Sequence, residues 1–400
     1  MWMRKLGVLW LVLSQNFLAS AAYGDALTVQ LGNWTLRPYV LLQLDEGGTF
    51  GQTLGGGQGT SFNLRRARVG AQATTADQFS MDAIWDFGGT PDNHSSLYAA
   101  DLAYIGFKPF VIRGGVYKWP FTLEYSQSSA DILFLERASI VNIVGGLVAG
   151  ADRAGGQFGA ARERWFAAVF LTGGRTGPDA RSDQRAVLGR AAGLVIKTDN
   201  VALHLGISGA WLNRVPSNGG GVHTIALSDQ PELQIDNVPP SLSTGPIASQ
   251  SALIGGPEVG LGWDRLWLQS EWYGIKVERG PSSAGSLFFS GWYAQAAYTL
   301  IGKPRQYRPS VAAWDSPSPV ETFNPATGSW GAIEVGARFS TVDLNDQGVR
   351  GGQQRVSSAV INWYPVESLR FSLEYAHADV VGGKAPRSLN FVALRGQLFF

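Results

Sequence analysis

Apolar and polar residues alternate with a period of two along much of this sequence. The stretch 369–375 is typical, because one face of it would carry aliphatic and aromatic residues and the other would carry Arg370, Ser372 and Glu374. Comparable alternation occurs within 78–87, 201–211, 330–341 and 392–400. Since side chains alternate between the two faces of a strand, the pattern predicts β-strands with one apolar face. No run of 18 apolar residues follows the N-terminal region, so the sequence predicts no transmembrane helix.

The first residues are typical of a secretory signal peptide. Arg4 and Lys5 precede an apolar run at 6–13, and residues 19–21 (ASA) offer a small-x-small cleavage site. We therefore predict that a signal peptide over residues 1–22 is removed, with the cut at this site or shortly after it. An N-terminal membrane anchor is the alternative, but the apolar run is far shorter than the ~20 residues that a spanning helix needs.

Composition argues against several other classes of protein. Without the two basic residues of the signal peptide, 30 Lys and Arg remain against 31 Asp and Glu. This balance argues against a nucleic-acid partner, which would require a basic excess. The chain has no cysteine, which excludes disulfides, cysteine zinc sites and thiol nucleophiles. His94, His204, His223 and His377 lack the spacing of a metal site, and we predict neither a metal nor a cofactor.

An exported chain without a spanning helix can still cross a membrane as a closed β-barrel, whose strands pair all backbone groups. The alternative is a soluble β-sandwich, whose strands also alternate but turn their apolar face to a dry core. Three features favour the barrel: Trp and Tyr at the ends of the apolar faces, Gly and Ala within the strands, and a final strand that ends at Phe400. This terminal residue resembles the signal that the barrel-assembly machinery of bacterial outer membranes recognises.

We predict an all-β fold, a transmembrane antiparallel barrel of about 16 strands that forms a single domain over residues 23–400. Seventeen segments qualify as strands, and the two candidates within 219–264 are the least well defined. We choose 16 because bacterial single-chain barrels use even numbers of strands. The Gly-rich run 55–59 and the Pro-rich stretches near 239–246 and 304–325 are interpreted as loops.

The segment 119–150 loses the alternation but keeps its apolar residues. A connection this long and apolar should pack on something. We predict that it folds into the barrel and narrows the lumen; an external lid or a subunit contact is the alternative. Ser128, Ser129 and Asp131 could start a short helix that runs to about Ile140.

Several motifs within 62–138 resemble one family. They are 62–70 (FNLRRARVG), 106–109 (GFKP), 115–124 (GVYKWPFTLE) and 134–137 (FLER), and they are similar to the signatures of the phosphate-selective porin O and P family. The resemblance implies a trimeric porin of 16 strands in the Gram-negative outer membrane, in contact with lipid and lipopolysaccharide. It also implies a third extracellular loop inside the lumen and a lining of arginine and lysine that passes anions such as phosphate.

Alternation also predicts which charged side chains face the lumen. The basic ones are Arg66, Arg68, Arg113, Arg164, Arg338, Arg370 and Arg395, and the acidic ones are Asp82, Asp86, Asp101, Glu271, Glu334 and Glu374. This near balance is closer to a general porin than to a purely positive pore. Arg66 and Arg68 are candidate anion contacts; alternatively they pair with Asp82 and Asp86 or lie at the headgroup level.

Lys118 is the anion contact that the motif nominates, although strict alternation would place it with Val116 on the lipid side. Either a bulge interrupts the strand or the strand ends before Lys118. Otherwise its amine caps the loop or pairs with Glu124 or Glu136. Arg137 is counted in the predicted basic lining, although together with Glu136 it is more suited to holding the loop against the wall.

The sequence therefore predicts passive diffusion of small hydrophilic solutes through a homotrimeric outer-membrane porin, with anions or phosphate preferred. The alternatives are a general porin of low selectivity for nutrients or sugars, and a plugged structural or adhesive barrel. An outer-membrane enzyme would need an activated nucleophile or an acidic constellation. No G-x-S-x-G motif is present, and we do not predict catalysis.

Overall fold

The computed structural model describes residues 28–50, 60–75, 78–89, 95–150, 153–176, 183–217, 221–234, 241–280, 285–383 and 387–400. The predicted signal peptide at 1–22 and the Gly-rich run 55–59 lie outside these residues. None of the helices within the described ranges is both long enough and apolar enough to cross a membrane.

Sixteen antiparallel strands form one closed wall in the described part of the chain, and each strand pairs with the next. A seventeenth, short strand at Val29–Leu31 joins the same sheet by pairing with residues 34–36. In chain order the sixteen strands of the wall are β1 (Trp34–Phe50), β2 (Thr60–Thr75), β3 (Phe79–Asp86), β4 (Ser96–Tyr104), β5 (Phe110–Val116), β6 (Arg153–Arg162), β7 (Trp165–Arg175), β8 (Arg185–Lys197), β9 (Val201–Arg214), β10 (Ser251–Trp263), β11 (Leu266–Glu278), β12 (Leu287–Ile301), β13 (Ala332–Asp346), β14 (Val349–Val366), β15 (Leu369–Val381) and β16 (Arg387–Phe399). The pairing of β1 with β16 closes the sheet, which confirms the predicted 16-stranded barrel.

The stretch 219–264 supplies one barrel strand rather than two. That strand is β10 (Ser251–Trp263). Residues at 224–229 instead form two short ladders inside a loop, where Thr224–Ile225 pairs with Ile247–Ala248 and Ser228–Asp229 pairs with Leu242–Ser243. Each ladder is only two residues long and forms a sheet separate from that of the wall.

The two faces of the wall differ in the way that a lipid-facing barrel requires. On β15 the apolar Phe371 and Leu373 are 47% and 45% exposed, whereas Arg370 and Glu374 on the opposite face are 2% and 0% exposed. Large apolar side chains therefore point outward and charged side chains point inward. This is the reverse of a soluble sandwich and matches a wall that contacts hydrocarbon.

The two ends of the barrel have connections of different length. The end at which β1 begins and β16 ends, here called the terminal end, has short turns such as 163–164, 198–200 and 264–265. The other end, here called the loop end, carries the longer connections, including 117–152 and 215–250. Two connections break this rule: residues 347–348 at the loop end form a two-residue turn, and residues 302–331 at the terminal end are long. We call residues 302–331 the terminal-end segment.

The segment 119–150, here called the inner loop, is the third connection at the loop end and lies inside the barrel. Its large apolar side chains, including Trp119, Phe121 and Phe134, are fully buried. It contains two helices, α1 (Leu123–Ser126) and α2 (Ser139–Val148). Helix α2 packs against β11, β12 and β13 across the lumen.

The predicted helix from 128 to about 140 is wrong. Residues 128–138 are irregular, because polar side chains of the wall take up their backbone groups. Leu133 O accepts hydrogen bonds from Arg370 and Asn362, and Leu135 N donates to Glu374. These bonds replace the i→i−4 ladder that a helix would need.

We expect the closed barrel to survive in dodecyl sulfate until it is heated, because a closed sheet leaves no unpaired strand edge. An unheated sample should therefore migrate differently from a boiled one on a gel. A variant that lacks residues 387–400 should lose this difference, because β1 and β15 would be left with open edges. Identical migration of the heated and unheated full-length chain would contradict the closed fold.

Candidate functional site

Three of the predicted lumen arginines, Arg338, Arg370 and Arg395, hold the inner loop in place. Arg370 donates to Ile132 O and to Leu133 O, both at 2.7 Å. Arg395 donates to Leu135 O at 2.6 Å, and Arg338 donates to Glu136 O at 2.9 Å. All three side chains point inward as predicted and are almost fully buried. Their guanidinium groups supply the donors that the irregular backbone of the loop requires.

Glu136 of the inner loop bonds to several arginines of the wall. Its carboxylate accepts from Arg65 at 2.7 and 3.1 Å and from Arg66 at 3.1 Å, and Arg395 lies 3.3 Å away. Burial alone would raise the pKa of Glu136, but Arg65, Arg66 and Arg395 hold this pKa well below its ordinary range. Glu136 therefore remains charged in the folded protein and ties the loop to β2 and β16.

The inward-facing acids bind backbone amides or arginines. Glu374 on β15 accepts from Leu135 N at 2.8 Å, and Glu271 on β11 accepts from Glu124 N at 2.7 Å. Glu334 on β13 forms a bidentate pair with Arg305, with distances of 2.7 and 2.8 Å. The inward orientation of these three acids agrees with the alternation.

The terminal-end segment also enters the lumen, which the sequence analysis did not predict. Arg190 on β8 donates to Val311 O at 2.7 Å and to Ala312 O at 2.8 Å. Trp314 is 1% exposed, and its carbonyl accepts from Gln127 of the inner loop at 3.0 Å. The apolar run that ends in Trp314, within a stretch interpreted only as a Pro-rich loop, is the signal that could have indicated this burial.

A buried polar network joins this segment to the wall. Arg190 and Glu258 form an ion pair at 2.8 Å, and His204 Nε2 lies 2.9 Å from the same carboxylate. The other ring nitrogen of His204 is 2.9 Å from the Tyr307 hydroxyl. Sequence reasoning missed Arg190, because its neighbours on the inward face of β8, such as Leu188, are apolar and buried against the inner loop.

The remaining predicted cations gather on one side of the lumen with tyrosine rings. We call this group the basic cluster; it consists of Arg68, Arg113, Lys118, Arg137, Tyr98, Tyr117 and Tyr125. The guanidinium of Arg68 lies 3.6 Å from the centre of the Tyr98 ring, and that of Arg113 lies 4.8 Å from the Tyr117 ring. Lys118 and Arg137 lie 5.4 and 5.2 Å from the centre of the Tyr125 ring. Cations near ring faces are attracted to them without losing their charge.

Carboxylates accompany the basic cluster on the wall. Arg68 donates to Asp86 at 2.7 Å, which agrees with the alternative in which this arginine pairs with a neighbouring acid. Asp101 lies 3.4 Å from Arg113 and is directly opposite Asp82 in the pairing of β3 with β4. This wall therefore carries both signs of charge.

Lys118 lies beyond the end of a strand, so the alternation does not apply to it. β5 ends at Val116, and Val116 is itself buried rather than turned to lipid. The Lys118 amine donates to Gln127 O at 2.5 Å. Burial lowers the pKa of Lys118 well below its ordinary range, and the neighbouring Arg137, Arg68 and Arg308 lower it further.

Arg137 donates within the inner loop, to Glu124 O at 3.2 Å and to Gln127 O at 3.0 Å. It therefore stabilises the turn between the two helices. The inward placement of Arg164 is wrong, because Arg164 lies exposed in the turn between β6 and β7, where strand alternation does not hold. Among the described residues, no group of three or more His, Cys, Asp or Glu could hold a metal ion.

Comparison with known proteins agrees with this geometry. The profile of the family described as phosphate-selective porin O and P matches residues 42–400. Porin O of Pseudomonas aeruginosa is 23% identical over 341 residues, which cover 79% of this chain and 76% of that protein. An uncharacterized protein of Caulobacter vibrioides is 32% identical over 153 residues, which cover 35% of this chain but only 30% of that protein. Among solved structures, an anion-selective porin from Comamonas acidovorans superimposes with a TM-score of 0.58 at 11% identity, covering 92% of this chain and 100% of that one.

Replacement of Arg370 by Gln should loosen the inner loop, because buried carbonyls at 130–133 would lose their donors, each at a cost of about 1–3 kcal/mol. Hydrogen exchange should show at least about tenfold faster exchange of the amides at 130–135, since about 1.4 kcal/mol corresponds to a factor of ten. The exchange of β15 itself should stay slow. Arg162→Gln, which removes an exposed arginine, is the matched control. Unchanged exchange at 130–135 would show that the arginine does not anchor the loop.

Proposed function

The chain belongs to the phosphate-selective porin O and P family, and on that basis we propose that small hydrophilic anions cross it along the basic cluster. As a member of this family it is a porin of the Gram-negative outer membrane. The loop end is therefore the extracellular end and the terminal end the periplasmic one, since long loops of such barrels face outward. Solutes would diffuse passively, and the inner loop would set the size limit.

The observation that carries this proposal is the environment of Lys118. Its amine and the guanidinium of Arg137 both donate to Gln127 O and both lie near the Tyr125 ring. Burial lowers the pKa of Lys118 most, and the charges of Arg137, Arg68 and Arg308 lower it further. A lysine that faces several guanidinium groups is stabilised when an anion approaches, because the anion relieves the repulsion among them. Lys118 therefore supports an anion contact better than a role as a structural ion pair.

Exposure distinguishes only some cations of the basic cluster from those that anchor the loop, because Arg68 and Arg137 are buried too. Arg113 and Lys118 are partly exposed, and so is the nearby Arg308, whereas Arg370 and Arg395 are buried with their donors directed at the loop. We assign solute contact to the partly exposed cations first. For Arg66, Arg338, Arg370 and Arg395, contact with an anion stays a prediction, and the geometry supports an anchoring role.

The acids beside this route favour a moderate preference over strict selectivity. Asp82 and Asp101 face each other next to Arg113, and Asp315 lies 2.6 Å from Arg308. Mixed charges on a pore wall set modest ion preference. A general porin of low selectivity is thus the second candidate. Block of chloride current by low concentrations of phosphate would distinguish a phosphate-preferring channel from it.

A plugged barrel is the third candidate, because segments enter the lumen from both ends: the inner loop and Glu232 of the loop 215–250 from one end, and the terminal-end segment from the other. Arg305 and Ser316 of the terminal-end segment bond to Asp131 of the inner loop. A plugged barrel would carry no ohmic current in a planar bilayer, whereas the proposed porin would.

Four further features belong to the same proposal. Residues 1–22 would be cleaved on export, and the outward apolar face would contact lipid, lipopolysaccharide and neighbouring protomers in a homotrimer. Phe400 would be read by the barrel-assembly machinery. Its position supports this, because Phe400 exchanges backbone hydrogen bonds with Val40 at the closing seam, at 2.8 and 3.1 Å. No catalytic step is part of this function.

At a pH below the lowered pKa of Lys118, where its amine is charged, Lys118→Gln should shift the reversal potential in a KCl gradient toward cation preference, because a positive charge is removed. Lys118→Glu should shift it further in the same direction. Lys197→Gln removes an exposed lysine from the end of β8 and should leave the potential unchanged. Equal potentials for the parent and both Lys118 variants would remove this residue from the solute route.

The anion preference should also depend on pH. Because its pKa is lowered, Lys118 is neutral above a value well below the ordinary ~10.4 of lysine and becomes charged as the pH falls through that value. The preference for chloride should therefore rise as the pH falls through this window. Lys118→Gln should lack that step, and a step of equal size in both proteins would assign it to other groups.

A further inference from the structure

A cavity of about 440 Å³ lies at the extracellular end, between helix α2 and the loop 215–250. Helix α2 contributes Asn142, Gly146 and Leu147 to its lining, and the loop contributes Ile225 and Leu227. The volume falls within the range of small-molecule sites, roughly 300–1,000 Å³. Its lining residues are not members of the basic cluster, so it is separate from the solute route described above.

Two guanidinium groups stand together on the wall of this cavity. Arg153 on β6 and Arg175 on β7 are direct partners in the strand pairing, and both line the cavity. Arg153 is buried and held in place by bonds to Gly146 O at 3.0 Å and Gly173 O at 3.2 Å. Arg175 is exposed. Both residues therefore contribute positive charge to the same part of the cavity wall.

The rest of the lining combines amides with apolar side chains. Gln184 donates to Leu147 O at 2.8 Å and is thereby fixed at the cavity wall. Ile143, Leu147 and Leu227 supply aliphatic surface, and none of the lining residues within the described ranges is acidic. The cavity thus combines the positive charges of a buried and an exposed arginine with aliphatic side chains, which suits a ligand that carries an anionic group on an apolar body.

We propose that this cavity binds small organic anions, such as aromatic carboxylates, through Arg153 and Arg175. The carboxylate would lie between the guanidinium groups, and the apolar body would contact Leu147 and Leu227. Inorganic phosphate and acetate lack that body and should bind here weakly. The inference goes beyond the proposed anion route, because a ligand could occupy the cavity whether or not Lys118 selects the permeating ion.

Gly146 provides a direct test, because a side chain added there would meet no other atom within 4 Å. Gly146→Leu should therefore fill the cavity without disturbing helix α2, in which leucine is a favourable residue. Benzoate is the probe, and its binding to the full-length porin in lipid nanodiscs is followed by saturation-transfer NMR. We expect saturable benzoate binding by the parent protein and its loss in Gly146→Leu.

A second variant tests the charge independently of the shape. Arg175→Gln should weaken benzoate binding about fivefold, which is the effect expected when one partly exposed ionic contact is lost. Gly348→Leu and Arg162→Gln are the matched controls, since Gly348 lies in the distant turn between β13 and β14 with open space around it and Arg162 is exposed at the periplasmic end. Both controls should bind benzoate like the parent.

The outcomes separate this inference from the proposed function. Lys118→Gln should retain benzoate binding, and Gly146→Leu should retain the parental reversal potential in KCl. If the parent shows no saturable benzoate binding, or if Gly146→Leu and Arg175→Gln bind as the parent does, the cavity is not such a site. Acetate binding as strong as benzoate binding would overturn the assigned role of the aliphatic side chains.

Discussion

Every backbone amide and carbonyl that is shielded from water needs a partner, and this requirement shapes both the wall and its contents. In the wall, the backbone groups of each strand form hydrogen bonds with the next strand. The two backbone hydrogen bonds between Val40 and Phe400 lie at the seam where the last strand pairs with the first. Inside the barrel, residues 128–138 have no ladder of their own. Side chains of the wall replace that ladder, and arginine is suited to this role because one guanidinium offers five donors in a fixed plane.

The same requirement divides the positive charges of the lumen into two groups. In one group, Arg338, Arg370 and Arg395 are buried and donate hydrogen bonds to backbone carbonyls of the inner loop. Arg113 and Lys118 keep partial exposure. A count of lumen arginines therefore overstates the positive charge that a solute meets. The balance of basic and acidic side chains near the basic cluster decides ion selectivity.

The wall could be predicted from the sequence because its pattern is local. Alternation within a dozen residues identifies the strands and the face that Arg370 or Glu374 occupies. It does not identify their partners, since Arg370 bonds to a carbonyl 238 positions away in the chain. The irregular path of 128–138 and the burial of Trp314 depend on such distant partners, so the predicted helix was wrong and the terminal-end segment was missed. The placement of Lys118 depended on where β5 ends, which alternation alone leaves open.

The distance along the chain between the inner loop and its anchors has a consequence for biogenesis. Residues 119–150 leave the ribosome early, but Arg338, Arg370 and Arg395 belong to the last four strands. The loop therefore cannot reach its final contacts until nearly the whole polypeptide has been delivered to the membrane. The permeability of the pore is thus fixed at the last stage of maturation, when the final strand pairs with the first and the inner loop reaches its final position in the lumen.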